Sequence, residues 1–325
     1  MSERNEFRLY AGDGSTLNER DLRLPFFEQP EGMDDPSKYL AEAGLRDAVN
    51  VALALGQPLL LTGEPGTGKT QLAGSLAHEL GLHKPLVFYV KTTSTARDLF
   101  YRYDSLRHFH DAQFRKDGEI RIDDYIEYQA LGLAVLLSRP PEEVRRFLPR
   151  SLHGRQQMRS VVLVDEIDKA PRDLPNDVLD EIEAMKFTVK ETGQEFPCDP
   201  PYRPIVVLTS NSEKNLPDAF LRRCVYYHIQ FPDRPRLREI IARRVKFSSE
   251  FTPEMIDKAI DRFEEIRKLP LKKKPATAEL LAWVRILDRL KLDVEDRGAA
   301  EALAFTYSAL AKNEDDLKRL RDSCK

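Results

Sequence analysis

The chain has 325 residues, 41% of them hydrophobic, which is enough for two domains of ordinary size that each bury a core. Lysine and arginine total 51 and acidic residues 54, so the formal net charge of −3 gives no overall attraction to nucleic acid or to an anionic membrane. Three cysteines without CxxC spacing argue against a disulfide framework or a zinc site. The polar N-terminus has neither a signal nor a transit pattern, and no apolar stretch is long enough to span a membrane. We therefore expect a cytoplasmic protein.

Residues 1–36 carry prolines and a glycine among charges, and we expect them to form an extended leader. Residues 37–56 have apolar residues at helical spacing and end at Gly56, which predicts a helix. Five short apolar runs predict buried strands: PLLLTG (58–63), LVFYVK (86–91), SVVLVD (160–165), PIVVLTS (204–210) and VYYHIQF (225–231). Because helical patterns such as residues 69–81 separate these runs, they indicate a parallel sheet covered by helices on both faces.

The strand signal stops after Phe231, where two prolines follow. Four amphipathic helical patterns fill the rest of the chain: LREIIARRVKF, TPEMIDKAIDRFEEIRKL, ATAELLAWVRILDRLKL and GAAEALAFTYSALAKN. The predicted fold class is therefore α/β, with an α/β core at 37–231, insertions around 95–159 and 186–200, and an all-helical domain at 232–325.

Each insertion carries a hairpin signal. Asp117-Gly118 within FRKDGEIRI (114–122) predicts a turn between two strands, followed by further helix in ALGLAVLLSRPPEEVRRFL. KFTVKETGQEFPC (186–198) predicts a second hairpin that turns around Gly193. Aromatic residues crowd the first insertion, where packing onto its own core is the favoured interpretation and gripping a polypeptide is the alternative. They are Phe100, Tyr101, Tyr103, Phe109, Phe114, Tyr125 and Tyr128.

GEPGTGKT (63–70) matches the pattern G-x-x-x-x-G-K-[ST] in full and lies between a predicted strand and a predicted helix, as that motif requires. Its glycines allow successive backbone N–H groups to turn inward around an anion, and the helix N-terminus adds a partial positive charge. Lys69 can reach the β- and γ-phosphates, and the Thr70 hydroxyl can ligate Mg²⁺. The predicted nucleotide-binding residues are Gly63, Glu64, Pro65, Gly66, Thr67, Gly68, Lys69, Thr70 and Gln71.

Polar residues also end two of the later strands. Asp165 and Glu166 follow a buried strand, at the edge where parallel sheets bind their ligands. We predict that Asp165 holds Mg²⁺ together with Thr70, and that Glu166 polarises a water for attack on the γ-phosphate. Asn211 ends the next strand and can hydrogen-bond that water or the γ-phosphate, although asparagine here is by itself more often a turn residue.

The stretches LLLTGEPGTGKTQLAGSLA, LVDEIDKAP and TSNSEKNLPDAFLRRC, in this order, resemble the AAA+ ATPases and, within them, the MoxR-like group. The resemblance covers roughly residues 38–310. It implies a P-loop core whose parallel five-stranded sheet has the order 5-1-4-3-2, a C-terminal helical lid, and ring-shaped homo-oligomers, commonly hexamers, with ATP held between neighbours. It places sensor 1 at Asn211 and an arginine finger at Arg223, with Arg222 where an acid is commoner, so that either arginine or both are candidates.

The predicted lid departs from the family pattern. A sensor 2 arginine is expected near Pro275, but Lys272–Lys274 precede it and the first arginine is Arg285, well inside the helix. We therefore do not expect Arg285 to touch nucleotide, and we interpret the three lysines as a solvated loop, with a weak anion contact as the alternative. The two insertions look like the helix-2 insert and the pre-sensor-1 hairpin of the MoxR-like clade.

Three classes of function fit these features. The leading hypothesis is a chaperone-like ATPase that uses ATP and Mg²⁺ to remodel or activate a partner protein. The resemblance suggests that this partner can carry a von Willebrand A domain. Metal-centre assembly and defence systems are among the roles that the resemblance implies. A nucleic-acid-coupled motor is the alternative, although nearby acids largely cancel its basic residues. Those basic residues are Arg107, His108, His110, Arg115, Lys116 and Arg121. A low-turnover, nucleotide-gated assembly switch is disfavoured by Glu166. The phosphate loop does not read the base, so ATP and GTP are not distinguished.

Overall fold

The computed structural model describes residues 35–114, 120–171, 174–212, 216–296 and 300–323. The chain divides into two compact units. The core unit comprises residues 39–230, and the helical unit runs from residue 231 toward the C-terminus and also includes residues 35–38.

The described part of the core unit contains nine strands and seven helices. The strands are β1 Leu59–Gly63, β2 Leu86–Tyr89, β3 Tyr101–Tyr103, β4 Ile126–Tyr128, β5 Val161–Asp165, β6 Lys186–Val189, β7 Gln194–Pro197, β8 Ile205–Thr209 and β9 Val225–Ile229. The helices are α1 Ala43–Leu55, α2 Lys69–Glu79, α3 Ser105–Phe114, α4 Ala130–Leu137, α5 Pro141–Val144, α6 Leu174–Ala184 and α7 Asp218–Leu221.

Five of these strands form one parallel sheet in the order β2-β5-β8-β1-β9. Numbered among themselves along the chain, the five strands lie in the order 5-1-4-3-2, which confirms the predicted topology. All five residues of β1 are buried, as are the first four of β5. The continuously apolar runs are thus explained, because a parallel sheet covered on both faces offers no solvated side.

Alternate residues of each strand enter one of two apolar clusters. Leu60, Val162 and Leu208 point to the face covered by α4 and α6. Leu61 and Leu163 point to the opposite face, where α1 and α2 pack. Burying each such side chain stabilises the unit by roughly 1.5–3 kcal/mol, so the two faces hold the sheet from both sides.

The structure differs from the sequence prediction at the start of the core unit. Helix α1 begins at Ala43 rather than at Ser37, because Glu42 has an extended backbone. The helix ends as predicted, with Gly56 in the left-handed conformation and its N–H donating to backbone carbonyls of the last turn.

The hairpin predicted at 114–122 is wrong in its flanks. Phe114 is the last residue of helix α3, and Ile122 begins a short 3₁₀ helix, whereas Asp117-Gly118 lies outside the described residues. The strands that pair are β3 and β4, antiparallel, with Tyr101 opposite Tyr128. The alternating pattern of residues 114–122 was misleading, because the paired strands lie on either side of α3 and not on either side of Asp117-Gly118.

The second predicted hairpin is confirmed. Strands β6 and β7 pair antiparallel, and Gly193 takes a φ of 70° in the turn. Phe187 of β6 stacks on Phe196 of β7 and on Phe100 of the first insertion, with ring centroids 5.1 Å and 5.0 Å apart. Most aromatic residues of the first insertion are buried or partly buried in this cluster, as the packing interpretation predicts, while Phe109 and Phe114 are exposed on α3.

The helical unit contains α8 Arg234–Arg244, α9 Pro253–Lys268, α10 Thr277–Leu290, α11 Ala300–Thr306 and α12 Glu314–Asp322. The apolar face predicted for α10 is buried, including Trp283, Val284 and Leu287. The Trp283 indole donates to Thr306 Oγ1 at 2.8 Å. Helix α12 follows the last of the four predicted helical patterns and was not itself predicted. In the described part of the chain, none of the helices combines the length and the apolar character that crossing a membrane would need.

Candidate active site

The phosphate loop connects the end of β1 to the start of α2. Gly63 has a φ of 143°, and a Cβ there would lie 2.5 Å from the backbone oxygen of Ile229 on the adjacent strand β9. A side chain is therefore excluded both by conformation and by space. Gly66 and Gly68 also have positive φ, and the Thr67 hydroxyl closes the loop by donating to the Glu64 carbonyl at 2.9 Å. Glu64 and Pro65 are exposed at the loop tip, and Gln71 lies in the first turn of α2.

Lys69 is buried at the first position of α2. Its Nζ donates to the backbone carbonyls of Gly63 and Glu64 at 2.9 Å and 3.0 Å. Burial lowers the pKa of the Lys69 ammonium, and the carboxylates of Asp165, Asp168 and Glu166 oppose that shift. The lysine thus lies inside the loop, next to the acidic end of β5.

The Thr70 hydroxyl connects the loop to the acidic pair by donating to Asp165 Oδ1 at 3.1 Å. The hydroxyl of Thr209, at the end of β8, donates to the same carboxylate oxygen at 2.5 Å. A hydroxyl and a carboxylate are the hard oxygen donors that Mg²⁺ prefers, so Thr70 and Asp165 fit a magnesium site completed by phosphate oxygens and water. Within the described ranges, no group of three or more histidine, cysteine, aspartate or glutamate side chains is arranged to hold a metal ion without such help.

Glu166 has a left-handed backbone, with φ 59° and ψ 50°. Its N–H donates to Thr209 Oγ1 at 3.0 Å. One carboxylate oxygen, Oε2, accepts a hydrogen bond from Lys169 Nζ, and the other, Oε1, lies 3.4 Å from Asn211 Nδ2. The hydrogen bond to Glu166 raises the pKa of the Lys169 ammonium. The structure therefore brings Glu166 and Asn211 together, and the Asn211 N–H also donates to Asp168 Oδ1 at 3.2 Å.

Three residues at this edge were missed from the sequence. Lys169 follows Glu166 by one turn of a 3₁₀ helix, so the spacing in DEIDK carried a signal for their contact. Asp168 meets the backbone of Asn211 across neighbouring strand ends. Thr209 gave no such signal, because a threonine in a strand is a common β-former.

The two candidate arginines follow α7. Arg223 Nη1 donates to Asp180 Oδ1 of α6 at 2.6 Å, and its Nε lies 3.7 Å from Glu183 Oε1. The hydrogen bond to Asp180 raises the pKa of the Arg223 guanidinium. Arg222 is exposed. Among the described residues, neither arginine forms a hydrogen bond or ion pair with Glu166, so the chain does not bring them into the site by itself.

In the helical unit, burial lowers the pKa of Arg285, which donates to the backbone carbonyl of Arg244 at 3.3 Å. Lys272 forms an ion pair with Asp315, and Lys272–Lys274 are exposed. The lysine run therefore lies on the surface, as the solvated-loop interpretation expects.

A five-stranded parallel sheet of this order, with a phosphate loop facing two carboxylates, defines an AAA+ ATPase core. The family model for the AAA domain (dynein-related subfamily) matches residues 58–224, more than half of the chain, and the chain belongs to this family. The matched range contains the phosphate loop, the acidic pair, Asn211 and both arginines. Among curated proteins, none matches the chain.

Proposed function

We propose that the chain is a MoxR-like, Mg²⁺-dependent ATPase of the cytoplasm that forms a ring-shaped homo-oligomer, most simply a hexamer. In this proposal it uses ATP hydrolysis to remodel or activate a partner protein, such as one with a von Willebrand A domain. The hydrogen bond between Thr70 and Asp165, beside Glu166, carries the proposal, because it joins the phosphate loop to an acidic pair distant in the chain. The strand–helix–strand insertion β3–α3–β4 and the hairpin β6–β7 support the MoxR-like assignment.

Binding rests on the loop and on Lys69. The backbone N–H groups of residues 66–70 would surround the phosphates, and Lys69 would exchange its bonds to Gly63 and Glu64 for phosphate oxygens. Thr70 and Asp165 hold Mg²⁺, which when bound neutralises charge on the β- and γ-phosphates. The phosphate loop does not read the base, so ATP is proposed as the substrate without a contact that distinguishes it from GTP.

Hydrolysis rests on Glu166. Its carboxylate accepts a proton from the attacking water, while Lys169 and Asn211 keep the two carboxylate oxygens in place. Asn211 is an uncharged donor that can approach the γ-phosphate without adding repulsion. Arg223 completes the site of a neighbour: its side chain is 43% exposed, and in the ring it exchanges Asp180 for the neighbour's γ-phosphate.

Replacing Glu166 tests the hydrolysis step. In Glu166→Gln we expect kcat to fall by roughly 10²- to 10⁴-fold while ATP binding changes little, because the amide keeps the shape but cannot accept the proton. Steady-state phosphate release and binding of labelled ATP measure the two effects. Glu79→Gln, which removes an exposed carboxylate at the end of α2, is the matched control and should turn over like wild type. Equal turnover in wild type and Glu166→Gln would favour the nucleotide-gated switch instead.

The arginines test the ring. We expect Arg223→Ala to bind ATP and lose roughly 10³-fold or more in kcat, since a finger acts on transition-state charge. Mixing Arg223→Ala with Glu166→Gln should restore part of the turnover, because some hybrid interfaces combine an intact Arg223 with an intact Glu166. Arg222→Ala is the control. Loss of turnover in Arg222→Ala alone would move the finger to Arg222, and a monomer under all nucleotide conditions would refute the ring.

The partner is tested by affinity capture with Glu166→Gln and ATP, which should retain a client that Lys69→Ala does not. Helix α3 exposes Leu106, Phe109 and Phe114, which suits contact with a protein partner. Adding Leu106→Ser and Phe109→Ser to Glu166→Gln should therefore release the client while leaving ATP binding intact. Stimulation of the ATPase by DNA or RNA with a strong salt dependence would favour the nucleic-acid motor over this proposal.

A further inference from the structure

Glu166 has a backbone conformation that residues with a side chain rarely adopt. Its φ of 59° lies in the left-handed region, which crowds Cβ against the backbone and is used mainly by glycine, asparagine and aspartate. Such residues persist where the surrounding structure holds them, and they cluster at active sites.

Thr209 provides such a contact to Glu166 from the neighbouring strand β8. Its side chain is 1% exposed, and its hydroxyl forms a hydrogen bond with each residue of the acidic pair. It donates to Asp165 Oδ1 at 2.5 Å and accepts from the Glu166 N–H at 3.0 Å. Because a hydroxyl can donate once and accept at the same time, both bonds form together.

Other contacts hold Asp165, the Glu166 carboxylate and the Glu166 carbonyl, which accepts from the Lys169 N–H at 2.9 Å, but they do not hold the Glu166 N–H. Thr70 also donates to Asp165 Oδ1, and Lys169 and Asn211 contact the carboxylate of Glu166. Among the described residues, the Thr209 hydroxyl is the partner of the Glu166 N–H. Losing that hydroxyl therefore releases the Glu166 N–H, while the bond from the Lys169 N–H to the Glu166 carbonyl and the bond from Thr70 to Asp165 stay in place.

We propose that Thr209 is a positioning residue for hydrolysis: its hydroxyl ties the backbone of Glu166 to Asp165 and so keeps the Glu166 carboxylate aimed at the attacking water. The two bonds of the Thr209 hydroxyl go to the acidic pair, so its proposed role is indirect. The inference rests on the proposed role of Glu166 and adds a residue that acts through it. It predicts a loss in kcat with little change in KM, since the phosphate loop is untouched.

The test compares three variants of the full chain with MgATP as substrate. Thr209→Val keeps the shape and removes the hydroxyl, and we expect kcat to fall roughly 10- to 100-fold with KM within about threefold of wild type, because small misplacements of a base are costly. Thr209→Ser keeps the hydroxyl and should stay within about threefold of wild type in kcat. Thr306→Val is the matched control: Thr306 is also 1% exposed, and its hydroxyl also bonds twice, to Trp283 Nε1 and to the Leu303 carbonyl.

Thr306→Val should lower the melting temperature but keep the wild-type kcat. Wild-type kcat in folded Thr209→Val overturns the inference, and so does an equal loss of kcat in Thr209→Ser and Thr209→Val. If Thr209→Val does not fold, Thr209→Ala removes the hydroxyl without filling the space and takes its place. The proposed function fails separately: Glu166→Gln would then retain turnover, whereas failure of the inference alone leaves Glu166→Gln inactive and Thr209→Val active.

Discussion

Buried polar groups have different roles in the core unit and in the helical unit. In the core unit, Lys69 lies at the first position of α2 and Thr209 at the end of β8. Both act on Asp165: the Thr209 hydroxyl donates to its carboxylate, and that carboxylate opposes the lowering of the Lys69 pKa by burial. In the helical unit, Asp316 accepts from the backbone N–H groups of Lys272 and Lys273, and its carboxylate is fully used by the fold.

The difference follows from the two architectures. In a parallel sheet the carboxyl ends of all strands lie at the same edge, so side chains from distant segments of the chain meet there. Their polar groups remain able to bind a ligand outside the sheet. In the helical unit, the buried Asp316 carboxylate satisfies the N–H groups of a loop, and the Asn313 side chain satisfies the N–H of Asp316 at the start of α12, so these polar groups are paired within the fold. We therefore expect substitutions at the sheet edge to affect turnover and substitutions in the helical unit to affect stability.

The largest effect is expected at Gly63, where the two roles coincide. In Gly63→Ala the new Cβ meets the Ile229 backbone oxygen, and we expect a loss of roughly 3 kcal/mol or more in the free energy of unfolding together with loss of ATP binding. Urea denaturation and the ATP-induced shift in melting temperature measure both. Gly56→Ala is the matched control, because Gly56 has a φ of 62° but open space around it, and it should lose about 1 kcal/mol. Equal losses in the two variants would show that the close approach is unimportant.

Asp316 tests the helical unit. Burial by itself raises the pKa of this carboxyl, but the N–H groups of Lys272 and Lys273 and the Asn313 amide outweigh it and hold the pKa below its usual value. In Asp316→Asn an acceptor is replaced by a donor, so we expect a loss of about 1–3 kcal/mol in the free energy of unfolding at pH 7. Denaturation of both proteins across pH measures it.

The sign of the pH dependence follows from the lowered pKa. The stabilisation is present above the unfolded pKa and is lost as the pH falls through the folded one, so wild type and Asp316→Asn should converge below about pH 4. Asp315→Asn is the control. Its exposed pair with Lys272 should leave the free energy of unfolding nearly unchanged. A constant difference between wild type and Asp316→Asn down to low pH would contradict the role of the ionised carboxylate.

The smallest effect on stability is expected at Lys169. Its pair with Glu166 is exposed, so Lys169→Met should melt like wild type. The Glu166 side chain gains rotamer freedom, and we expect kcat to fall roughly two- to fivefold. Lys169→Arg, which can still pair with Glu166, should recover most of it. Unchanged turnover in Lys169→Met would show that the ion pair between Lys169 and Glu166 has no role in turnover. It would also weaken the contrast between the two units.

Much of the core followed from the sequence. The five apolar strands and the phosphate loop were predicted, because continuous apolar strands and a glycine-rich loop are local patterns with few structural solutions. The strand order was predicted from the family resemblance and not from these patterns. The first hairpin was predicted wrongly because alternation over a few residues does not distinguish a strand from the end of a helix such as α3. The contacts of Arg223 with α6 were not predicted, since no local pattern relates the residues after α7 to those of a separate helix.

The sequence by itself determined which segments bring polar residues to the phosphate edge, because the motif and the apolar runs are contiguous in the chain. Tertiary structure alone decided how these strand ends are joined. Thr209 and Asp165 are 44 residues apart, and only the parallel register of β5 and β8 sets one hydroxyl between Asp165 and the backbone of Glu166. Register depends on the packing of both faces of the sheet, and that packing is a property of the whole unit rather than of any one segment.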